Sequence, residues 1–215
     1  MSRRLTLFTL AALVLTPVGP SPVIAQDQQE AAMVGVGPVG IVTRIAKKAQ
    51  AERAQSIALL KPSDPVANND RLTTGPGGRL QVALLDEGTL QLGENAELVV
   101  DDLTLGESDS TLKLAISGAF RLVSGALNHA EGTEIVTPVA TIGIRGTDVW
   151  GGMIDGAYSV FLVEGEVTVT TDAGTVVLDT PGTGTSVASA DAMPTEPVDW
   201  PEPKVQRAIA TVTFP

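Results

Sequence analysis

The feature that most restricts the fold of this chain is alternation. Leu80, Val82 and Leu84 take every second place before an acidic turn at Asp86-Glu87-Gly88. Leu90 and Leu92 do the same before Gly93-Glu94-Asn95, and Leu98 to Val100 follow. Similar short runs occupy residues 112–116, 120–123 and 133–136, then 158–163, 167–171 and 175–178. A period of two puts one set of side chains on one face of a strand, and no helix-length apolar period intervenes. Many short strands separated by turns imply an all-β single domain, built as a solenoid or roll, or as a sandwich.

The pattern has edges. Val39, Ile41, Thr43 and Ile45 alternate, so the β domain is expected over residues 37–190. Residues 46–55 fit a short helix by propensity or a hairpin by position between two strand-like runs. Residues 26–36 have no period and are expected to form a flexible arm. Residues 191–215 hold Pro194, Pro197, Pro201 and Pro203, which exclude a central strand and suggest a Pro-rich C-terminal tail. Its last residues, 208–214, alternate again and could add an edge strand or fray. A weak internal echo also links residues 78–92 with 156–169, each read as strand, acidic-Gly turn, strand.

The first residues carry Arg3-Arg4, then an apolar run from Leu5 to Leu15, then Pro17, Gly19, Pro20 and Pro22. This is the layout of a secretory signal peptide over residues 1–25, with Ala25 at the cleavage point, and the run is too short to span a bilayer. A periplasmic or secreted location follows as an expectation, with no transmembrane span after cleavage. The formal net charge is −11, and the excised segment would remove two arginines and no acid. Such a surface repels phosphate backbones, which argues against nucleic acid as a partner. With no cysteine, an exported protein must hold its fold without disulfides. Aromatic residues make up only 3% of the chain, so its core must rest on Val, Leu, Ile and Ala.

Catalytic chemistry finds few residues to work with. The one histidine, His129, falls in a polar stretch that reads as a loop. One His without Cys cannot complete the usual zinc set, so no metal, cofactor or catalytic residue is assigned. Asp86-Glu87, Asp101-Asp102, and Glu107 with Asp109 could supply a glycosidase-like pair or a calcium site. Acidic turns that keep a β protein soluble and protect its edges account for them more simply.

Residues 137–152, TPVATIGIRGTDVWGG, look written to a pattern. Pro138 removes a backbone donor, while Gly143, Gly146 and Gly151-Gly152 interrupt β-branched bursts, so tight corners between short strands are expected. Arg145 sits between Ile144 and Gly146 in an apolar context. It is either a structural clamp onto carbonyls or carboxylates, or a hook for an anionic ligand.

The segment TPVATIGIRGTD resembles the TP-x-A-x-x-x-x-RGT segment of the FecR domain family, found in exported bacterial proteins and named for a regulator of iron-citrate uptake. Further residues match in order. Asp70-Arg-Leu-Thr-Thr-Gly75 is similar to a D-x-[IV]-x-T-G turn. Glu87-Gly88-Thr89-Leu90-Gln91-Leu92-Gly93 is similar to a DGT-x-[LV]-x-L-G hairpin, with Glu87 in place of the usual Asp. Gly118-Ala119-Phe120-Arg121 resembles a G-x-[LF]-[RV] turn, and Val163-Glu164-Gly165-Glu166-Val167 a V-x-x-G-x-V hairpin. The resemblance implies a β-rich solenoid or roll. It does not imply sigma-factor control, which needs a cytoplasmic part and a membrane span where this chain has a cleavable signal.

The expectation is therefore a non-enzymatic, exported binding or sensory-accessory module of the cell envelope. Its partner would be another envelope protein, such as a receptor, a barrel or a membrane sensor. Thr137, Pro138, Arg145, Gly146 and Thr147 would shape the corner that presents its surface. A glycan-binding or glycan-acting protein using acidic turns, or a purely structural surface protein, are the alternatives.

Overall fold

In the computed structural model, residues 38–84, 87–103, 112–124 and 132–215 are described. The first strands are β1 (Gly40–Ala46), β2 (Ala49–Arg53), β3 (Ser56–Leu59), β4 (Pro65–Val66) and β5 (Arg71–Thr74). Next come β6 (Arg79–Leu84), β7 (Thr89–Leu92), β8 (Glu97–Leu103), β9 (Leu112–Ser117), β10 (Phe120–Val123) and β11 (Thr133–Val136). Two long strands follow, β12 (Thr141–Ile154) and β13 (Ala157–Thr171), then β14 (Gly174–Leu178), β15 (Thr183–Val187) and β16 (Val198–Asp199). The chain closes on a helix, α1 (Glu202–Ala210). The all-β reading holds.

The signal peptide of residues 1–25 and the arm of residues 26–36 lie outside the described residues, as does His129. Residues 46–55 form a hairpin and not a helix, with β2 and β3 paired around Ala54-Gln55. Those two residues take φ of 46° and 68°, the left-handed backbone of a two-residue hairpin turn. Burial overrides helix propensity here, since Ala49 of β2 sits in the core at 2% exposure.

All strands belong to one curled sheet, and β12 and β13 explain its curl. Residues 141–144 of β12 pair with β11, whereas residues 148–151 pair with β10. Along its other edge β12 pairs with β13 throughout. β13 in turn splits, with β15 beside its first half and β14 beside its second. The sheet thus forks into two wings that share β12 and β13. One wing runs outward through β11, β9, β8, β5 and β2 to β3; the other runs through β10, β7, β6 and β1 to β4.

The inward faces of the wings make one core. Leu72, Leu98, Leu114, Ile135 and Ile142 come from the first wing, and Leu80, Leu90, Leu92, Phe120 and Leu122 from the second. Each of these is 2% exposed or less, and each alternates with a half-buried or exposed neighbour, as the period of two demands.

The second wing also has a core on its outer face. Trp150, Phe161, Trp200, Ala208 and Val212 cluster there, with Val205 and Ile209 of α1 packed against them. This differs from the free tail or edge strand expected at the C-terminus. Val205, Ala208, Ile209 and Val212 fall on one helical stripe, and Pro203 stands in the first turn, where its missing N–H costs nothing. The Trp150 indole donates to Thr211 Oγ1 at 3.1 Å, which fixes the end of the helix over the sheet.

Candidate functional site

The patterned segment begins with a turn. Thr137 is buried, and its Oγ1 accepts from the N–H of Ala140 at 3.0 Å and donates to the Ala140 carbonyl at 2.7 Å. Pro138 is exposed at the tip. This is the single tight corner of the segment. The others expected from Gly143, Gly146 and Gly151-Gly152 are absent, because residues 141–154 run as the one strand β12. Gly151 is required by packing, since a Cβ there would lie 2.7 Å from Cζ of the buried Phe120 ring.

In place of corners, the segment contains a bend. Arg145 pairs with Glu166 and Asp148 with Glu164, so Gly146 and Thr147 together face Gly165. Gly146 has φ of 57° and Gly165 of 90°, both in the region that favours glycine. A Cβ on Gly165 would collide with the Gly146 carbonyl oxygen and sit 2.8 Å from Thr147 Cα. The two backbones therefore touch across a bulge, and this is where β12 passes from one wing to the other. Thr147 locks the bend. Its N–H donates to Ser124 Oγ at 2.7 Å, its carbonyl accepts from the Ser124 N–H at 2.9 Å, and its hydroxyl donates to the Glu164 carbonyl. The Val163 to Val167 stretch, expected as a hairpin, is the matching bulged part of the continuous strand β13. Residues 156–169 therefore differ from the true β6–β7 hairpin they echo in sequence.

Arg145 does not clamp this bend. Its side chain is exposed, and among the described residues it makes no ion pair or hydrogen bond. Odd-numbered positions of β12 before the bulge point away from the core, so Arg145 shares the outer face with Thr141 and Gly143. The structural clamp is made by another arginine. Arg121 Nε donates to Asp148 Oδ1 at 2.9 Å and its Nη2 to Oδ2 at 2.6 Å, a two-pronged pair next to the bend. Those hydrogen bonds hold the Arg121 guanidinium above its already high pKa, against the opposing effect of its partial burial. Arg53 grips Asp70 in the same way at 2.6 Å, and Asp70 Oδ2 also accepts from the Ala67 N–H at 2.8 Å. Sequence alone gives Asp70 a place in a turn motif but not this partner, because the pair closes between the end of β2 and the turn before β5.

Around Arg145 the outer face is hollow. Gly143 has no side chain, and the flanking residues Glu134, Thr141, Arg145, Glu166, Thr168 and Thr170 wall a trough of about 480 Å³. Its lining is one guanidinium, two carboxylates and threonine hydroxyls over a regular sheet. Such a set can bind: Arg145 offers a planar donor fork to a carboxylate or carbonyl, and Glu134 and Glu166 accept from amides or cations. It contains no imidazole or thiol to activate a hydroxyl. The structure thus brings Arg145 to the trough, puts Gly146 and Thr147 in the adjoining bend, and leaves Thr137 and Pro138 at the turn before β12.

Among the acids singled out in sequence, Glu87 is exposed on the turn between β6 and β7. Asp86, Glu107 and Asp109 lie outside the described residues, as do the side chains of Asp101 and Asp102. Among the described residues, no three His, Asp or Glu side chains gather closely enough to hold a metal ion. No helix there is long and apolar enough to cross a membrane.

Comparison with known proteins adds three findings. Residues 70–190 match the family described as FecR protein. No curated protein sequence matches the chain. Two crystal structures of a candidate anti-sigma factor from Parabacteroides distasonis share the fold, at 14% identity and TM-scores of 0.53 and 0.52. Each alignment covers 63% of this chain and 62% of the solved one, so this chain accounts for about three-fifths of that protein's length.

Proposed function

The chain belongs to the FecR family, and on that premise we propose that it is a non-enzymatic binding module of the bacterial envelope. It acts through protein–protein contacts made on the outer face of its first wing. Membership in this family supports a regulatory, signalling-related role, and the solved proteins of the same fold fit such a setting. The exported location rests on the Arg3-Arg4 and Leu5 to Leu15 pattern at the start of the chain.

One observation carries the reading. Arg145, in the segment that most resembles the family, is spent on the surface and not on the fold. Thr147, Gly146 and Gly165 maintain the bend without it. An exposed arginine between Glu134 and Glu166, above the Gly143 hollow, suits a partner that presents a strand or turn with its own carboxylate or carbonyls.

The test is crosslinking in intact envelope. A photo-reactive residue at Thr168 should trap a discrete protein, and Arg145→Ala should abolish that adduct while leaving the melting temperature unchanged. An adduct unaffected by Arg145→Ala would overturn this use of the trough.

A further inference from the structure

The first wing ends at β3, and this edge is unlike the others. β4 is two residues long and starts with a proline. β14 is flanked by the segment that follows β15, with the Asp172 N–H donating to the Ala190 carbonyl and Met193 lying against Gly174. β16 is again only two residues long. β3 is longer, every residue in it is exposed, and it carries no charge. Ile57 is 68% exposed and Leu59 is 59% exposed. A bare apolar edge of this kind is what soluble proteins usually protect with lysine, proline or a bulge.

Its backbone polarity can be read from the hairpin. The two-residue turn makes Arg53 and Ser56 a hydrogen-bonded pair, and the Leu60 N–H donates to the Ala49 carbonyl at 3.0 Å. Alternation then directs Ser56, Ala58 and Leu60 toward β2. It turns the N–H and C=O of Ile57 and Leu59 to the open side. Their two side chains also share one face of the sheet.

This edge is complementary to itself. If two copies of β3 meet antiparallel with Ala58 opposite Ala58, Ile57 of each faces Leu59 of the other. All four outward N–H and C=O pairs then find partners, and both cross-strand contacts are apolar against apolar. We infer that β3 is a homodimer edge, at which two copies join their first wings into one continuous sheet about a two-fold axis. A seam of four hydrogen bonds and four apolar side chains falls below the ~1,000 Å² typical of a permanent interface, so the dimer forms and dissociates with concentration.

The absence of cysteine makes the test simple. Ala58→Cys places two thiols opposite each other in a non-hydrogen-bonded pair, within reach of a disulfide. Under mild oxidation this variant should crosslink at least about tenfold faster than Val177→Cys, an exposed control on β14. Ile57→Lys with Leu59→Lys should move sedimentation from a monomer–dimer mixture to monomer, with unchanged melting because both side chains are already exposed. Equal crosslinking rates at positions 58 and 177 would overturn the inference. So would a wild-type chain that sediments as monomer at all concentrations, including one in which the lysine pair instead abolishes an adduct to a different envelope protein.

Discussion

Replacing Arg121 by alanine and Arg145 by alanine should produce opposite results, although both residues are arginines beside the same bend. Arg121 is 29% exposed and Asp148 is 13% exposed, joined by two charge-assisted hydrogen bonds. Removing one member of a buried pair costs about 3–5 kcal/mol because the other charge is left without its partner. Water reaches part of this pair, which lowers the expectation to about 2–3 kcal/mol. For a domain of this size each kcal/mol shifts melting by about 2–4 °C, so Arg121→Ala should melt about 5–10 °C early. Among the described residues Arg145 has no partner to strand, and Arg145→Ala should stay within about 0.5 kcal/mol of the parent, a shift under about 2 °C. Calorimetry or urea melts followed by far-UV circular dichroism read both values. Adding Asp148→Ala to Arg121→Ala should recover part of the loss, since the stranded carboxylate goes with it. If Arg145→Ala melts as early as Arg121→Ala, the division between clamp and surface residue is wrong.

Two further outcomes follow from burial. The chain has one tyrosine, Tyr158, whose hydroxyl is buried beside Thr137 and has no partner at hydrogen-bond geometry among the described residues. Burial pushes its phenol well above the usual value, so the fold favours the protonated form. That contribution is complete below the unfolded pKa of about 10 and declines as pH rises beyond it. Tyrosinate absorbance should therefore appear only with alkaline unfolding, and gradual ionisation of the intact fold would contradict the burial. Tyr158→Phe should be neutral or stabilising by up to about 1 kcal/mol, because it removes an unsatisfied buried hydroxyl. Both tryptophans, Trp150 and Trp200, lie in the cluster under α1 with ring centroids 5.9 Å apart. Ala208→Asp should push the helix off and shift their emission to longer wavelength while the β circular dichroism persists; unchanged emission would show that α1 does not depend on this contact.

The legibility of the fold in the sequence followed the range of its forces. Alternation is local, so Leu80-Val82-Leu84 and Leu90-Leu92 announce two strands, and these pair as β6 and β7. Glycine is ambiguous at short range. Gly146 and Gly165 were visible as backbone permissions, but whether they end strands or bend them depends on which strand lies opposite. The C-terminal helix was hidden because residues 208–214 satisfy a period of two as well as a helical stripe, and Trp150 decides between them from far away in sequence. For Arg145 the sequence left clamp and ligand hook open; the partner search that separates them needs three dimensions. Asp148, the residue that does receive a clamp, stands three places along from Arg145 in the same segment.

The sharing of β12 and β13 between the wings has a consequence for how the molecule comes apart. In a sandwich of two independent sheets, one sheet can loosen while the other persists. Here the strand pairing between the wings runs through β12, whose other edge is held by β13, so neither half owns its central member. Pulling β11 away exposes the flank of a strand that β10 still needs. Denaturation of residues 38–215 should accordingly be a single event with coincident probes, and neither wing should be recoverable as a stable fragment.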